Sequence, residues 1–338
     1  MATHSTATSQ PDPQRILAAL NAYQQTYALK AAIELDLFTR IGEGAGTAPE
    51  IAKASHASER GVRILCDYLA LQGFLTKEKG KYALTRDAAV FLDKRSPAYM
   101  GSIAGFLGHS RNMANFENLA EVVRGGRPPD LGHMNPEDPI WVEFARSMAP
   151  LMAASAAQLA PLVAERGKPI KVLDIAAGHG VFGIAVATHN RAAEVFAVDW
   201  KNVLELAAAN AAQAGVSARY HTIPGSAFEV DFGGAYDVVL VPNFLHHFDP
   251  PTNGKLLRKI RGSMHPQGLL AIAEMVPDED RLSPPFAAAF SLTMLANTPA
   301  GDAYTLSQLE HMLAEAGFQQ IRPHSLGQGP MSVVLARA

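Results

Sequence analysis

From Pro169 onward the chain alternates short apolar runs with helical segments, and this alternation constrains the fold more than any other feature. IKVLDIA, EVFAVDW, YDVVLVP and GLLAIAE are β-branched, nearly continuous hydrophobic runs of strand length. A strand apolar on both sides must be covered on both sides, which a parallel sheet flanked by helices achieves. SVVLARA near the end adds a further strand. Residues 167–338 therefore read as an α/β domain, a mostly parallel sheet with helices on both faces.

The first hundred residues carry a different pattern. Ile16, Leu20, Tyr23, Tyr27, Leu29, Ile33 and Leu37 recur at helical spacing and predict one helix through Phe38. Thr47 precedes PEIAKA, whose Pro49 and Glu50 suit a first turn. Ser58 caps a longer helix, ERGVRILCDYLALQ, which Gly73 ends. FLTKEKGKYALT then gives a hairpin turned at Lys79-Gly80. This order makes a helical winged-helix domain over 14–95, behind a disordered tail, 1–13. Residues 96–166 read as a helical linker interrupted by the loop GGRPPDLGHMNPEDP. Phe106, Met113, Phe116, Trp141, Phe144, Met148 and Met152 along it are core by default. Between two domains such residues also roof pockets, so Phe106, Met113, Phe144 and Met148 are pocket candidates, with His109 and His133 beside them.

Composition narrows the class. A chain of 338 residues favours two domains, and 48% hydrophobic with 18% charged residues suits a soluble protein. A net charge of -3 argues against a phosphate-backbone partner. The winged helix invites a DNA-binding reading, but Arg60 and Arg63 on its candidate recognition helix are offset by Glu59 and Asp67. Dimer packing is the expectation instead. Cys66 is the single cysteine, which excludes an internal disulfide and fits a reducing compartment. It lies in an apolar helical run and reads as core. No histidine spacing suggests a metal site. The start lacks a signal-peptide pattern, and the most apolar stretch, 284–300, is shorter than the roughly 20 residues of a membrane span. A cytoplasmic protein without membrane partner is expected.

The chemistry begins at KVLDIAAGHGVFGIAVA. A strand ends at Asp174, and Ala176, Ala177, Gly178, Gly180 and Gly183 follow before a helix. Small residues let a ligand approach the backbone, and the helix start offers amides. The loop alone fits a dinucleotide, a nucleoside or no ligand. About twenty residues on, the next strand ends in Val198-Asp199-Trp200, placing a carboxylate where a ribose edge would lie.

With these residues in place, roughly 14–338 resembles the S-adenosylmethionine-dependent small-molecule O-methyltransferases of the caffeate, hydroxyindole and bacterial polyketide type. That family joins an N-terminal winged-helix dimerisation domain to a C-terminal Rossmann-like catalytic domain. The resemblance implies S-adenosyl-L-methionine as cofactor and a homodimer through the N-terminal domain. It puts Asp174, Ala176, Gly178, Gly180, Asp199 and Trp200 at the cofactor, with Asn243 after the fourth strand. In GSAF, Ser226 stands where the family has an adenine-binding acid; Ala227 follows, and Phe228 packs either on the purine or in the core.

The resemblance also places the family's general base on His246 in PNFLHHFDP, its neighbour on His247, and the acid that holds the imidazole on Glu274. A second family acid falls on Ala303, with Asp302 adjacent. The residues support the same reading independently. Methyl transfer needs alignment and a deprotonated acceptor. A phenol with pKa near 10 is mostly protonated at neutral pH, and a histidine can take its proton. A carboxylate on the other ring nitrogen fixes the tautomer. A lone histidine is usually a surface or structural residue; two at a strand's carboxyl end in a cofactor fold favour function. His179, inside the glycine loop, reads as shaping the cofactor entrance. Phe286, Phe290, Met294 and Leu295 lie at helical spacing and would wall an apolar acceptor pocket in the family. O-methylation of an aromatic or polyketide-like metabolite is thus expected. C- or N-methylation, or a non-methylating reaction, is the alternative that Ala303 and Ser226 keep open, and a ligand-sensing DNA-binding protein is a remoter one.

Overall fold

A computed structural model describes residues 11–128, 138–327 and 331–338. His133 and most of the N-terminal tail lie outside the described residues. The chain divides into two compact units, one ending at Gly108 and the other His109–Ala338. The division falls inside the stretch read above as a linker.

The first unit runs α1 (Gln14–Glu34), α2 (Leu37–Gly42), α3 (Ala48–Ala54), α4 (Glu59–Leu71), β1 (Leu75–Glu78), β2 (Lys81–Leu84), α5 (Arg86–Phe91) and α6 (Ile103–Leu107). The single helix expected through Phe38 is instead two, because Asp36 turns left-handed at φ 59°. The break reorients the chain so that Leu37 and Phe38 enter the core, while Ile16, Leu20, Tyr23 and Tyr27 of α1 stay exposed. The expected caps form. Glu50 accepts from the Thr47 amide, and the Ser58 hydroxyl accepts from Gly61. Lys79 and Gly80 both take positive φ, the turn type that matches strand twist, and Glu78 pairs with Lys81. Leu37, Phe38, Ile51, Val62, Cys66 and Leu69 form the core. Burial there pushes the Cys66 thiol up to about 12. Arg63 and Lys77 are both paired with Asp67.

The second unit opens with α7 (Ser110–Glu117), α8 (Leu119–Gly125) and α9 (Ile140–Val163). Strands and helices then alternate as β3 (Ile170–Ile175), α10 (Val181–His189), β4 (Ala193–Asp199), α11 (Lys201–Gln213), β5 (Tyr220–Pro224), β6 (Tyr236–Pro242), α12 (Pro250–Gly262) and β7 (Met264–Glu274). α13 (Pro285–Asn297), α14 (Leu306–Glu315), β8 (Gln319–Ser325) and β9 (Ser332–Arg337) complete it. Among the described residues the large sheet has seven strands in the order β5-β4-β3-β6-β7-β9-β8, with the first five parallel, β9 antiparallel to β7, and β8 antiparallel to β9. One core cluster lies against α9, α10 and α11, and another against α12 and α14, so both faces are covered. Strand order reverses between β3 and β6, which opens a crevice at their carboxyl ends. Among the described residues no helix is long and apolar enough to cross a membrane.

Gly183, in the first turn of α10, sets how closely that helix approaches the sheet. A Cβ there would lie 2.7 Å from Asp174 Oδ2 and 2.8 Å from Val195 Cγ1. Glycine to alanine in an open helix usually stabilises by up to about 1 kcal/mol. Here overpacking reverses the sign, and Gly183→Ala is expected to cost about 1–3 kcal/mol. Urea denaturation reads this directly; an unchanged or raised midpoint would contradict the tight contact.

Candidate functional site

The glycine loop leaves β3 through Ala176 at φ 52°, Gly178 at φ 56° and Gly180 at φ 76°. Positive φ at these small residues curls the backbone over the strand end. Asp199, at the end of β4, secures the curl: Oδ2 accepts from the Gly178 amide at 2.8 Å and Oδ1 from the Trp200 amide at 2.7 Å. Burial raises the Asp199 carboxyl to about 6 against those two amides. Asp174 lies beneath, fully buried, with Oδ2 accepting from Gly183 at 2.9 Å and Oδ1 unpartnered. Burial first, and the Asp199 charge after it, push Asp174 up to about 7.

His179 is buried within the loop. Its Nδ1 accepts from the Val181 amide, its ring stacks on Phe182, and burial lowers it to about 4. The imidazole is therefore neutral, with its proton on Nε2.

On the next strand over, the turn after β5 starts at Gly225, φ 135°. The Ser226 hydroxyl accepts from the Phe228 amide, so it caps its own turn. Lys259 on α12 ties the same turn down through the Ala227 and Val230 carbonyls. Phe228 packs edge-to-face on Phe248, 4.9 Å between centroids, and also meets Phe244. Both of its expected environments, purine face and aromatic core, remain compatible with that position.

The other side of the crevice holds the histidines. Beyond β6, Asn243 is left-handed at φ 52°, and a short 3-10 turn carries Leu245, His246 and His247. His246 Nδ1 lies 2.6 Å from Glu274 Oε2, and both residues are buried. The other oxygen, Oε1, accepts from the Phe244 and Leu245 amides at 3.0 and 2.9 Å. Glu274 thus holds both the ring and the backbone that presents it. A carboxylate oxygen accepts, so a proton on Nδ1 completes this contact as a hydrogen bond. The Phe290 ring stands edge-on to His246 at 4.9 Å, and His247 lies 4.3 Å away on another side.

The remaining candidates separate. Met148 and Phe290 pack partly buried on the core cluster beside Met152. Met294 is fully in the core, whereas Phe286 is 55% exposed. Met113, Phe144 and His109 are half-buried in this unit, and Phe106 belongs to the first unit. Asp302 does not replace the missing acid. It pairs with Arg281 at 3.1 Å, and Ala303 is buried beside it. Among the described residues no three His, Cys, Asp or Glu side chains come together as a metal-ligand set.

Sequence reasoning missed several supporting residues. Met152 and Met331 flank the Asn243 amide. Gly301 lies against the His246 carbonyl so tightly that a Cβ would collide with it. These contacts join residues far apart in the chain and carry no local signature.

The cofactor implied by the sequence fits this edge. Asp199 stands at a strand end, Gly178 leaves its Cβ position open, and Asn243 Oδ1 is buried without a partner among the described residues. The buried acid below gives a pH prediction. Asp174 ordinarily titrates at 3.8 and here at about 7, so between these values the folded chain holds a proton that the unfolded chain has lost. Its contribution to stability falls as pH rises through that window and stays lowered above it. Asp174→Asn, which can still accept from Gly183, should remove this fall. Chemical denaturation of both proteins at roughly pH 5 and pH 8 measures it; equal pH slopes would contradict the shift.

Comparison with known proteins agrees with the geometry. Residues 17–94 match the O-methyltransferase dimerisation domain, and residues 172–268 match a methyltransferase domain. The 3-hydroxy-5-methyl-1-naphthoate 3-O-methyltransferase of Streptomyces sahachiroi is 28% identical over 88% of this chain and 87% of its own. The L-tyrosine C(3)-methyltransferase of Streptomyces lavendulae is 30% identical over 90% and 85%. A crystal structure from Nostoc punctiforme, provisionally assigned as an O-methyltransferase, superposes with a TM-score of 0.94 at 48% identity, covering 98% of this chain and 100% of the other. The chain belongs to the S-adenosylmethionine-dependent methyltransferases, in the small-molecule O-methyltransferase family that carries an N-terminal dimerisation domain.

Proposed function

We propose that this enzyme methylates a hydroxyl of a small, largely apolar aromatic or polyketide-like metabolite, with His246 as general base and Glu274 as its holder. The observation that carries the reading is the buried 2.6 Å contact between His246 Nδ1 and Glu274. S-adenosylmethionine, when bound, supplies a methyl carbon already activated by its sulfonium. Asp199 would hold the ribose, the open side of Gly178 would let the ligand approach the loop closely, and the Gly225–Phe228 turn would border the adenine.

The chain's own task is then to position the acceptor and remove its proton. Nε2 of His246 takes the hydroxyl proton as the new bond forms, and Glu274 stabilises the resulting imidazolium. Glu274 also fixes where Nε2 points, since the same carboxylate anchors the turn's amides. The ring edge of Phe290 beside His246 provides an apolar wall and limits water at the base.

Replacing His246 by alanine or glutamine is expected to lower kcat by about 10²–10⁴-fold while leaving S-adenosylhomocysteine binding intact. Steady-state kinetics with calorimetry separates the two effects. Undiminished turnover would remove His246 from the mechanism.

A second reading keeps the fold and changes the atom methylated. It is favoured by the Streptomyces lavendulae relative, named as a C-methyltransferase, and by Ala303 standing buried where the family resemblance expects an acid.

The homodimer rests on α1. Ile16, Leu20 and Tyr23 are 65%, 69% and 59% exposed at helical spacing, an apolar stripe that water disfavours. Leu20→Glu with Tyr23→Lys should shift the sedimentation coefficient from dimer to monomer. A wild-type monomer at all concentrations would refute the assembly.

A further inference from the structure

We infer that the Asn243 side-chain oxygen is the acceptor for the α-ammonium group of the cofactor, an inference that rests on the S-adenosylmethionine site proposed above. Asn243 follows β6 in the left-handed region, a conformation that strains most residues other than glycine and that asparagine tolerates. Its backbone amide donates to the Ala273 carbonyl at 2.8 Å, which locks the strained residue to β7. The side-chain Nδ2 lies 3.3 Å from the Met152 sulfur and 4.0 Å from that of Met331. Thioether sulfur accepts and cannot donate, so the amide nitrogen belongs on that side and Oδ1 is turned the other way. Oδ1 is buried and has no partner among the described residues. A buried orphan acceptor is costly, and a ligand donor would relieve it.

Position along the sheet edge selects the donor. Strand order runs β5, β4, β3, β6, β7, and the ends of these strands carry the Ser226 turn, Asp199, the glycine loop, Asn243 and Glu274. β3 and β6 pair at Asp174 and Leu240; three residues beyond, the two chains reach Ala177 and Asn243. Adenine and ribose fall to β5 and β4. Asn243 lies two strand spacings from β4, on the order of 10 Å, which is beyond a ribose held at Asp199. The remaining donor on the cofactor is the ammonium at the end of its methionine arm. The acceptor's own proton goes to His246. An amide oxygen suits this partner, since a bond to a charged donor is worth more than one between neutral groups.

Calorimetric binding of S-adenosylhomocysteine and of its deaminated analogue tests the inference without turnover. Asn243→Gly keeps the positive φ and removes only the side chain. Asn243→Asp keeps an oxygen in place. The wild type should bind S-adenosylhomocysteine roughly 10- to 100-fold more tightly than the deaminated compound. That preference should collapse to within about threefold in Asn243→Gly and persist in Asn243→Asp, while the deaminated compound binds all three alike. A preference that survives in Asn243→Gly would overturn the inference and leave the cofactor site standing. A wild type that binds neither compound would overturn the cofactor reading and this inference with it.

Discussion

Glu274 is a buried carboxylate at the end of a central strand with no cation on it. It accepts from three backbone amides of the turn after β6, those of Phe244, Leu245 and His246, and pairs with the His246 ring. That solution couples two things that a methyl-transfer site needs at once. The amides hold an irregular turn at the carboxyl edge of the sheet, and the remaining oxygen orients the imidazole, which in the proposed reaction would leave Nε2 as the basic atom. Phe290 of α13 packs on the same ring, and Gly301 in the loop after it presses on the His246 backbone carbonyl. Without the carboxylate the turn would have neither its shape nor its tautomer.

The same device recurs across the crevice. Asp199 ties the glycine loop through the amides of Gly178 and Trp200, and Asp174 ties α10 through Gly183. Three acids thus sit at the carboxyl ends of parallel strands, each serving amides that the loops leave over. Asp174 and Asp199 are both raised by burial, to about 7 and about 6.

Much of this was legible in the residues. Strands covered on both faces need continuous apolar runs, and β3, β4, β6 and β7 announced themselves through them. Thr47, Ser58 and the Lys79-Gly80 turn act locally, so their spacing was sufficient. β8 went unread because Gln319–Ser325 is an edge strand, mostly exposed, with no apolar pattern to detect. The break at Asp36 was hidden because the apolar spacing continues through it, and only packing decides the change of direction. At the site, the pairing of His246 with Glu274 followed from family resemblance and strand-end logic. The second duty of Glu274, the thioethers around Asn243 and the grip of Lys259 on the Ala227 turn did not, since each joins a side chain to a partner dozens of residues away.

The account stands on one proton: Nδ1 of His246 must carry it so that Nε2 can take another. Nitrogen-15 NMR of ring-labelled protein, with His246→Gln used to assign the signals, observes this directly. The account predicts a protonated Nδ1 and an unprotonated, pyridine-like Nε2 at neutral pH, with that tautomeric bias lost in Glu274→Gln. A resting ring protonated on Nε2, or a tautomer indifferent to Glu274, would contradict it.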